Sequence, residues 1–324
     1  MKATAKANTN IALIKYWGKR NEELFLPMNS SLSITLDHFY TVTTVEFRPE
    51  FDKDTFLLNN VRADHKASLK ISKFLDKVRN MANVKLHAMV YSENKVPTAA
   101  GFASSASGFA ALAAASSKAL GLNLDRKQLS VLARQGSGSA CRSIYGGYVE
   151  WQKGIGDAGE DSYASQVLPA NAWNISILSV LVNSEEKKVS SRDGMKQTVL
   201  TSPFYQGWLD TVENDLIIAK EAIKDKNFHV LGKITEANAL KMHATMLGSD
   251  PPIIYWQSGT LYVMQCIQEL RRSGVPAYFT IDAGPNVKVL CPPEHEQIVY
   301  EALLKLSEVK EIFICHPGGG ITYL

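Results

Sequence analysis

A chain of 324 residues, 45% apolar and with a formal net charge of +3, is long enough for about two domains. Its charges alternate in sign, which gives no case for a nucleic-acid or membrane-surface partner. Cys141, Cys266, Cys291 and Cys315 lie far apart without CxxC spacing, the amino terminus has no leader pattern, and no apolar run matches a bilayer span; the expectation is a soluble, reduced, cytoplasmic protein.

Residues 3–14 predict an opening strand ending in Ile11-Ala12-Leu13-Ile14. Lys15-Tyr16-Trp17-Gly18-Lys19-Arg20 then places three cations around two aromatics. Alone this is a solvated turn over a core edge; beside a phosphate site, Lys19 or Arg20 becomes an anion contact. Leu32, Ile34 and Leu36 alternate with polar residues, and Thr41 to Phe47 alternates again, so two half-buried strands are expected. Asp37-His38 between them predicts a hairpin turn with His38 at the surface. Leu69, Ile71, Phe74, Leu75 and Val78 fall at helical spacing and predict a helix over 64–80 with a solvated basic face. A strand is expected over 84–91, followed by Ser92-Glu93-Asn94.

The stretch Pro97 to Gly108 (PTAAGFASSASG) is small and apolar, then hydroxyl-rich, and runs into an alanine-rich helical pattern. Backbone N–H groups, serine hydroxyls and a helix N-terminus together make a candidate phosphate cradle. Gly121 stops that helix. Asp125 with Gln128 predicts a capped helix over 126–134. Gly136 to Ser143 (GSGSACRS) is a second Gly/Ser-rich stretch, with an arginine, and a strand follows at 146–151. Residues 174–183 predict a buried strand, with a domain boundary nearby that divides the chain into 1–183 and 184–324. Ser190 or Ser191 can cap a helix whose N-terminus lies beside Lys188 and Arg192. Helices over 204–223, 227–247 and 259–272 follow, with His243 expected in the core. A strand over 275–281 leads into Asp282-Ala283-Gly284-Pro285-Asn286, and a strand–helix–strand over 287–315 closes the pattern.

The three loops complement one another: a phosphate cradle, a set of donors with Arg142, and a carboxylate at a strand end. Phosphoryl transfer needs those parts. No Gly-Lys-Ser/Thr follows the first glycine, so this is not a Walker A loop, and no Gly-x-Gly-x-x-Gly follows the first strand. A serine nucleophile at Ser104 or Ser105 is the weaker alternative, because Gly-x-Ser-x-Gly is absent and no histidine is marked as its base.

The run Pro-Thr-Ala-Ala-Gly-Phe-Ala-Ser-Ser-Ala resembles the phosphate-binding motif of the GHMP kinase superfamily. Residues 10–20, 29–33, 136–143 and 282–286 are similar, in order, to stretches of the mevalonate diphosphate decarboxylase family. The resemblance implies an α/β (α+β) two-domain fold: an N-terminal ribosomal-protein-S5-like domain with a left-handed βαβ feature, and a C-terminal ferredoxin-like domain. The site would lie in the cleft between them. The implied reaction uses ATP to phosphorylate the tertiary 3-hydroxyl of mevalonate 5-diphosphate, after which phosphate and CO2 leave together to give isopentenyl diphosphate. Related possibilities are a decarboxylase acting on the monophosphate, a mevalonate 3-kinase, and a non-catalytic binding protein on the same scaffold.

The resemblance also implies residue roles. Asp282 matches the catalytic aspartate. Ser139 and Arg142 match contacts to the substrate's carboxylate and diphosphate, and Tyr16, Lys19, Ser191 and Arg192 match diphosphate contacts, with Lys15 a less certain member and Met195 a further substrate contact. Gly101, Ser104, Ser105 and Ser107 match the ATP-phosphate loop, Ser92 and Asn94 the nucleoside pocket, and Lys188 a lysine near the ATP phosphates. Mg²⁺ would be held mainly through ATP, with no protein ligand legible, and a homodimer is implied. Because elimination builds positive charge at C3, the cations are expected at the two phosphate ends. Phe102 replaces a usual leucine, which bears on packing, and Gly318-Gly319-Gly320 replaces Gly-Pro-Gly, which leaves the tail without an assigned role.

Overall fold

The computed structural model describes residues 1–95, 104–185 and 187–324. The first half contains β1 (Lys2–Ile14), β2 (Lys19–Asn21), β3 (Leu26–Pro27), β4 (Ser31–Arg48), β5 (Thr55–Leu58), β6 (Val61–Arg62), α1 (His65–Ala82), β7 (His87–Lys95), α2 (Ser104–Ala119), α3 (Arg126–Arg134), a 3₁₀ helix (Gly138–Ile144), β8 (Tyr148–Trp151) and β9 (Ala164–Leu168). The second half contains β10 (Ser176–Leu181), α4 (Ser191–Thr201), α5 (Tyr205–Lys224), α6 (Phe228–Leu247), α7 (Ser258–Arg272), β11 (Tyr278–Ile281), β12 (Val287–Cys291), α8 (Glu296–Leu304), β13 (Glu311–Cys315) and β14 (Thr322–Tyr323). No helix among the described residues is long and apolar enough to cross a membrane.

Two sheets organise the molecule. The larger is eight-stranded, with the path β14-β1-β4-β7-β5-β6 and a branch through β8 and β9. The smaller is four-stranded, in the order β11-β12-β10-β13, and antiparallel throughout. β5 and β7 pair in parallel across the α1 crossover, a mixed α/β arrangement. β10, inside the 1–183 division expected from sequence, pairs with β12 and β13 of the second sheet.

The predicted hairpin at Asp37-His38 is absent. β4 is one strand of 18 residues, and both of its halves pair with β1. The register shifts between Asn8 and Asn10, opposite this point, so the alternation changes phase without the chain turning back. His38 is exposed, as expected, while Phe39 is buried. The strand expected over 84–91 is displaced to His87–Lys95.

Helix starts follow local chemistry. Asp125 and Gln128 form the capping box expected from sequence. Ser190, rather than Ser191, caps α4, its Oγ accepting from the Asp193 N–H at 3.1 Å. α2 carries a run of small residues at 113–117 and lies against β1 and β4, where a larger side chain would hold helix and sheet apart. A continuous apolar cluster joins the two halves: Ile11, Leu13 and Ile14 of β1 share it with Trp208 and Val212 of α5, Met242 and Met246 of α6, and Leu290 of β12.

Candidate active site

The site is built from the end of β1, the 3₁₀ helix, the segment before α4, and the loop after β11. Asp282 follows the last residue of β11, and its side chain is 32% exposed. The Gly284 N–H donates to the Asp282 carbonyl at 2.8 Å, which closes the turn that presents the carboxylate. Lys15 Nζ donates to Asp282 Oδ1 at 2.7 Å, and Lys288 Nζ lies 3.7 Å from Oδ2. Burial alone would push the Asp282 carboxyl up; Lys15, Lys288 and Lys187 overturn that and hold it well below the usual carboxylate range.

Lys15 sits at the turn out of β1 and is 1% exposed. Its backbone is gripped on both sides. The Lys15 N–H donates to Asn238 Oδ1 of α6 at 2.8 Å, and Asn29 Nδ2 donates to the Lys15 carbonyl at 2.8 Å. Asn238 in turn donates to Asp215 Oδ2 at 2.8 Å, and Lys241 pairs with Asp215 at 2.5 Å. Lys15, the less certain member of the diphosphate cluster, is thus paired with Asp282. Burial lowers its pKa, and Asp282 opposes that shift.

Arg142 is 3% exposed on the 3₁₀ helix. Nη1 donates to Ser31 Oγ at 2.7 Å, and Nε and Nη2 both donate to Asn10 Oδ1 at 3.2 Å. Asn10 also donates to the Ser139 carbonyl at 3.1 Å and to Ser143 Oγ at 2.8 Å, so one β1 side chain aligns the whole second Gly/Ser stretch. The guanidinium is fixed before any anion arrives, which spares ordering entropy on binding. Tyr16 packs edge-on to Trp151 at 4.7 Å between ring centroids, and its buried hydroxyl has no hydrogen-bond partner among the described residues. A buried, unpartnered hydroxyl beside Arg142 suits a ligand oxygen.

A second group of cations gathers around Phe25. Lys19 Nζ pairs with Glu22 at 2.5 Å and lies 4.9 Å from the Phe25 ring, with Arg192 at 5.4 Å from the same ring. Lys70 of α1 joins them, its ammonium 4.5 Å from the Phe109 ring; desolvation, with Arg192 and Lys19 close by, lowers its pKa to about 8. Lys70 is exposed, as expected of that helix's solvated basic face, and the fold adds its nearness to Arg192 and Lys19. Met195 is 8% exposed in the apolar cluster with Trp17 and Tyr255.

Lys188 is exposed, and its neighbour Lys187 is the lysine turned into the site. Lys187 Nζ donates to the Ala283 carbonyl at 2.5 Å and to Ser191 Oγ at 2.9 Å. Nothing in the local sequence separates adjacent lysines, and only the entry of the chain into α4 decides between them. The cations are thus not confined to the phosphate ends: Lys15, Lys187, Lys288 and Arg142 all act on Asp282. The surplus positive charge makes the cleft a receptor for anions.

On the nucleotide side, Gly101 lies outside the described residues, and Ser104 is the first residue of α2. Ser105 is exposed on that first turn, and Ser137 Oγ donates to its Oγ at 3.3 Å. Ser107 Oγ lies 2.8 Å from Thr41 Oγ1, which donates to Asn94 Oδ1 at 2.8 Å, and Ser92 Oγ lies 2.8 Å from Thr43 Oγ1. This hydroxyl network pins β7 to β4 and to the start of α2. The structure therefore gives Ser92 and Ser107 buried partners within the fold.

A family profile described as the diphosphomevalonate decarboxylase-like N-terminal domain matches residues 7–164, and one described as the mevalonate 5-diphosphate decarboxylase C-terminal domain matches 177–315. The chain is 40% identical to a diphosphomevalonate decarboxylase of Ganoderma lucidum, over 96% of this chain and 83% of that one. It superposes on a mevalonate diphosphate decarboxylase from Staphylococcus aureus with a TM-score of 0.95 at 48% identity, covering 100% of this chain and 98% of that one. It also superposes on a protein designated MDDEF, in complex with MVAPP, AMPPCP and magnesium, with a TM-score of 0.94 at 53% identity, covering 100% and 99%.

Proposed function

Because the chain belongs to the diphosphomevalonate decarboxylase family, we propose that Asp282 orients the 3-hydroxyl of the substrate and takes its proton, between a diphosphate subsite and an ATP subsite. The chain catalyses ATP-dependent decarboxylation of mevalonate 5-diphosphate to isopentenyl diphosphate in isoprenoid biosynthesis, releasing ADP, phosphate and CO2. The observation that carries the residue assignment is a carboxylate at a strand end, open to the cleft and ringed by buried cations.

In the first half-reaction the hydroxyl oxygen attacks the γ-phosphorus of ATP, the bond to ADP breaks, and the hydroxyl proton moves to Asp282. A carboxylate held at such low proton affinity takes the proton only late, once the oxygen is largely bonded to phosphorus. In the second, the bond between C2 and the carboxylate breaks and its electron pair forms the C2–C3 double bond. The phosphate leaves C3 with the electrons of the C–O bond. Arg142 and Ser139 receive the carboxylate and neighbouring oxygens, the guanidinium fork suiting a carboxylate. Tyr16, Lys19, Ser191 and Arg192 receive the diphosphate, with Lys70 beside them and Met195 forming an apolar wall. Ser92 and Asn94 border the nucleoside, and Gly101, Ser104, Ser105 and Ser107 the ATP phosphates, with Lys187 rather than Lys188 reaching toward the transferred group. Mg²⁺ supplies neutralisation of the phosphate charge. Ser105, an exposed hard oxygen donor at a helix start, fits such an ion alongside the phosphates themselves.

The test supplies ATP, Mg²⁺ and mevalonate 5-diphosphate and follows ADP and CO2 together. Equal yields are expected; ADP without CO2 overturns the decarboxylase in favour of a kinase. The same reading places the enzyme in the cytoplasm as a homodimer. Leu200, Phe204, Leu247 and Ile254 are exposed apolar side chains near the α4–α5 turn and the end of α6, a surface suited to a second copy. Light scattering giving a monomer mass at micromolar concentration would remove the dimer.

A further inference from the structure

Every residue of β12, Val287-Lys288-Val289-Leu290-Cys291, is buried. Val287, Val289 and Cys291 face the apolar cluster of Val263, Ile267, Val299 and Leu303. Lys288 and Leu290 face the other way, Leu290 into the cluster that joins the two halves. Lys288 is 2% exposed. A lysine in the middle of a core strand has lost its water at large cost and is retained only where a partner compensates it.

The compensation is specific. Lys288 Nζ lies 3.7 Å from Asp282 Oδ2 and donates to the Asn286 carbonyl at 3.4 Å. Lys15 occupies the other oxygen at 2.7 Å. Each carboxylate oxygen thus has its own buried ammonium, one from β1 and one from β12. The Lys15 contact is short; the Lys288 contact is longer and leaves Oδ2 the less committed acceptor.

We propose that Lys288 is a positioning residue for phosphoryl transfer, its ammonium steering Oδ2 of Asp282 toward the substrate hydroxyl. This rests on Asp282 being the hydroxyl's acceptor. The other groups facing Asp282 are Lys15 from β1, Lys187 from the segment before α4, Arg142 from the 3₁₀ helix and His243 from α6. Burial lowers His243 to about 3, so it is neutral under assay conditions and the cations set the behaviour of the carboxylate. Removing Lys288 leaves Oδ2 without its own cation, so the carboxylate is held less firmly toward the hydroxyl and turnover falls while substrate binding is kept.

The experiment measures kcat and KM for ATP and for mevalonate 5-diphosphate, with thermal unfolding, for Lys288→Met and Lys288→Gln. Methionine keeps length without charge, and glutamine keeps a donor without charge. Both variants are expected to lose about tenfold in kcat, with KM for each substrate within about twofold. A folded variant with native kcat overturns the proposal, and so does one whose loss lies in KM rather than kcat. Failure of both variants to fold assigns Lys288 to stability and overturns it too. Asp282→Asn is measured alongside. Retained turnover there defeats the acceptor reading itself, whereas lost turnover with normal Lys288 variants defeats only the role of Lys288.

Discussion

Lys187 and Lys188 are chemically identical and one position apart, yet their side chains go to different places. Lys187 is tied to the Ala283 carbonyl and to Ser191, beside Asp282, while Lys188 is exposed. Lys187→Met should lower kcat by about a hundredfold or more, the scale of removing one donor aimed at developing charge. Lys188→Met should stay within about twofold, and steady-state kinetics on the pair decides the assignment. Lys70 gives a pH test. Desolvation, with Arg192 and Lys19 nearby, lowers its ammonium to about 8, so it is charged and attracts phosphate below that pH and loses its charge above it. KM for mevalonate 5-diphosphate should rise between about pH 8 and 9.5, and that rise should vanish in Lys70→Gln. Asp282, Arg142, Tyr16 and Ser139 were legible because they sit in short stretches with recognisable order. Lys288 was not, although one charged residue inside Val-Lys-Val-Leu is a signal of a buried, paired lysine. Lys70 looked like any lysine on an amphipathic helix, because only the tertiary fold brings α1 to Phe109 and Arg192.

At the scale of elements, helix periodicity carried most of the reading. α3, α5, α6 and α7 begin and end within about two residues of their expected bounds, since caps and apolar spacing are local. β4 failed for the opposite reason. Its turn-like Asp37-His38 is a kink in a continuous strand, held by β1 on one side and by chain from the far terminus on the other. α6 shows how an element ordinary in sequence can serve the site. Asn238 holds the Lys15 backbone, and one turn further on His243 lies within hydrogen-bond reach of the backbone of Ile281 and Asp282. Asn238→Leu strands the Lys15 N–H and takes a donor from buried Asp215. It should cost about 1–3 kcal/mol in urea unfolding. It should also lower kcat more than KM, because Lys15 is freed to drift from Asp282. An unchanged kcat would confine Asn238 to stability.

For the whole molecule, the carboxy-terminal segment is what ties the second sheet back to the first. It leaves β13, and the His316 N–H donates to Asp37 Oδ1 at 2.8 Å. The Gly318 N–H then donates to the Thr35 carbonyl at 2.7 Å, and the Gly147 N–H donates to the Gly318 carbonyl at 2.9 Å. Asn8 Nδ2 donates to the Gly319 carbonyl at 3.0 Å before β14 pairs with β1. The triple glycine thus threads between β4 and the end of the 3₁₀ helix that carries Arg142, which is the role the sequence left open. The three positions are not equivalent. A Cβ on Gly318 would lie 2.4 Å from the Leu36 carbonyl oxygen and one on Gly320 2.6 Å from the Ile144 carbonyl oxygen, whereas one on Gly319 meets nothing within 4 Å. Backbone cannot step aside as a side-chain tip can, so Gly318→Ala must push the strap off β4. It should lower the thermal midpoint by more than about 5 °C and raise KM for mevalonate 5-diphosphate as the Arg142 helix loosens. Gly319→Ala should leave both within error. Equal behaviour of these adjacent glycines would mean that the strap does not bear on the site.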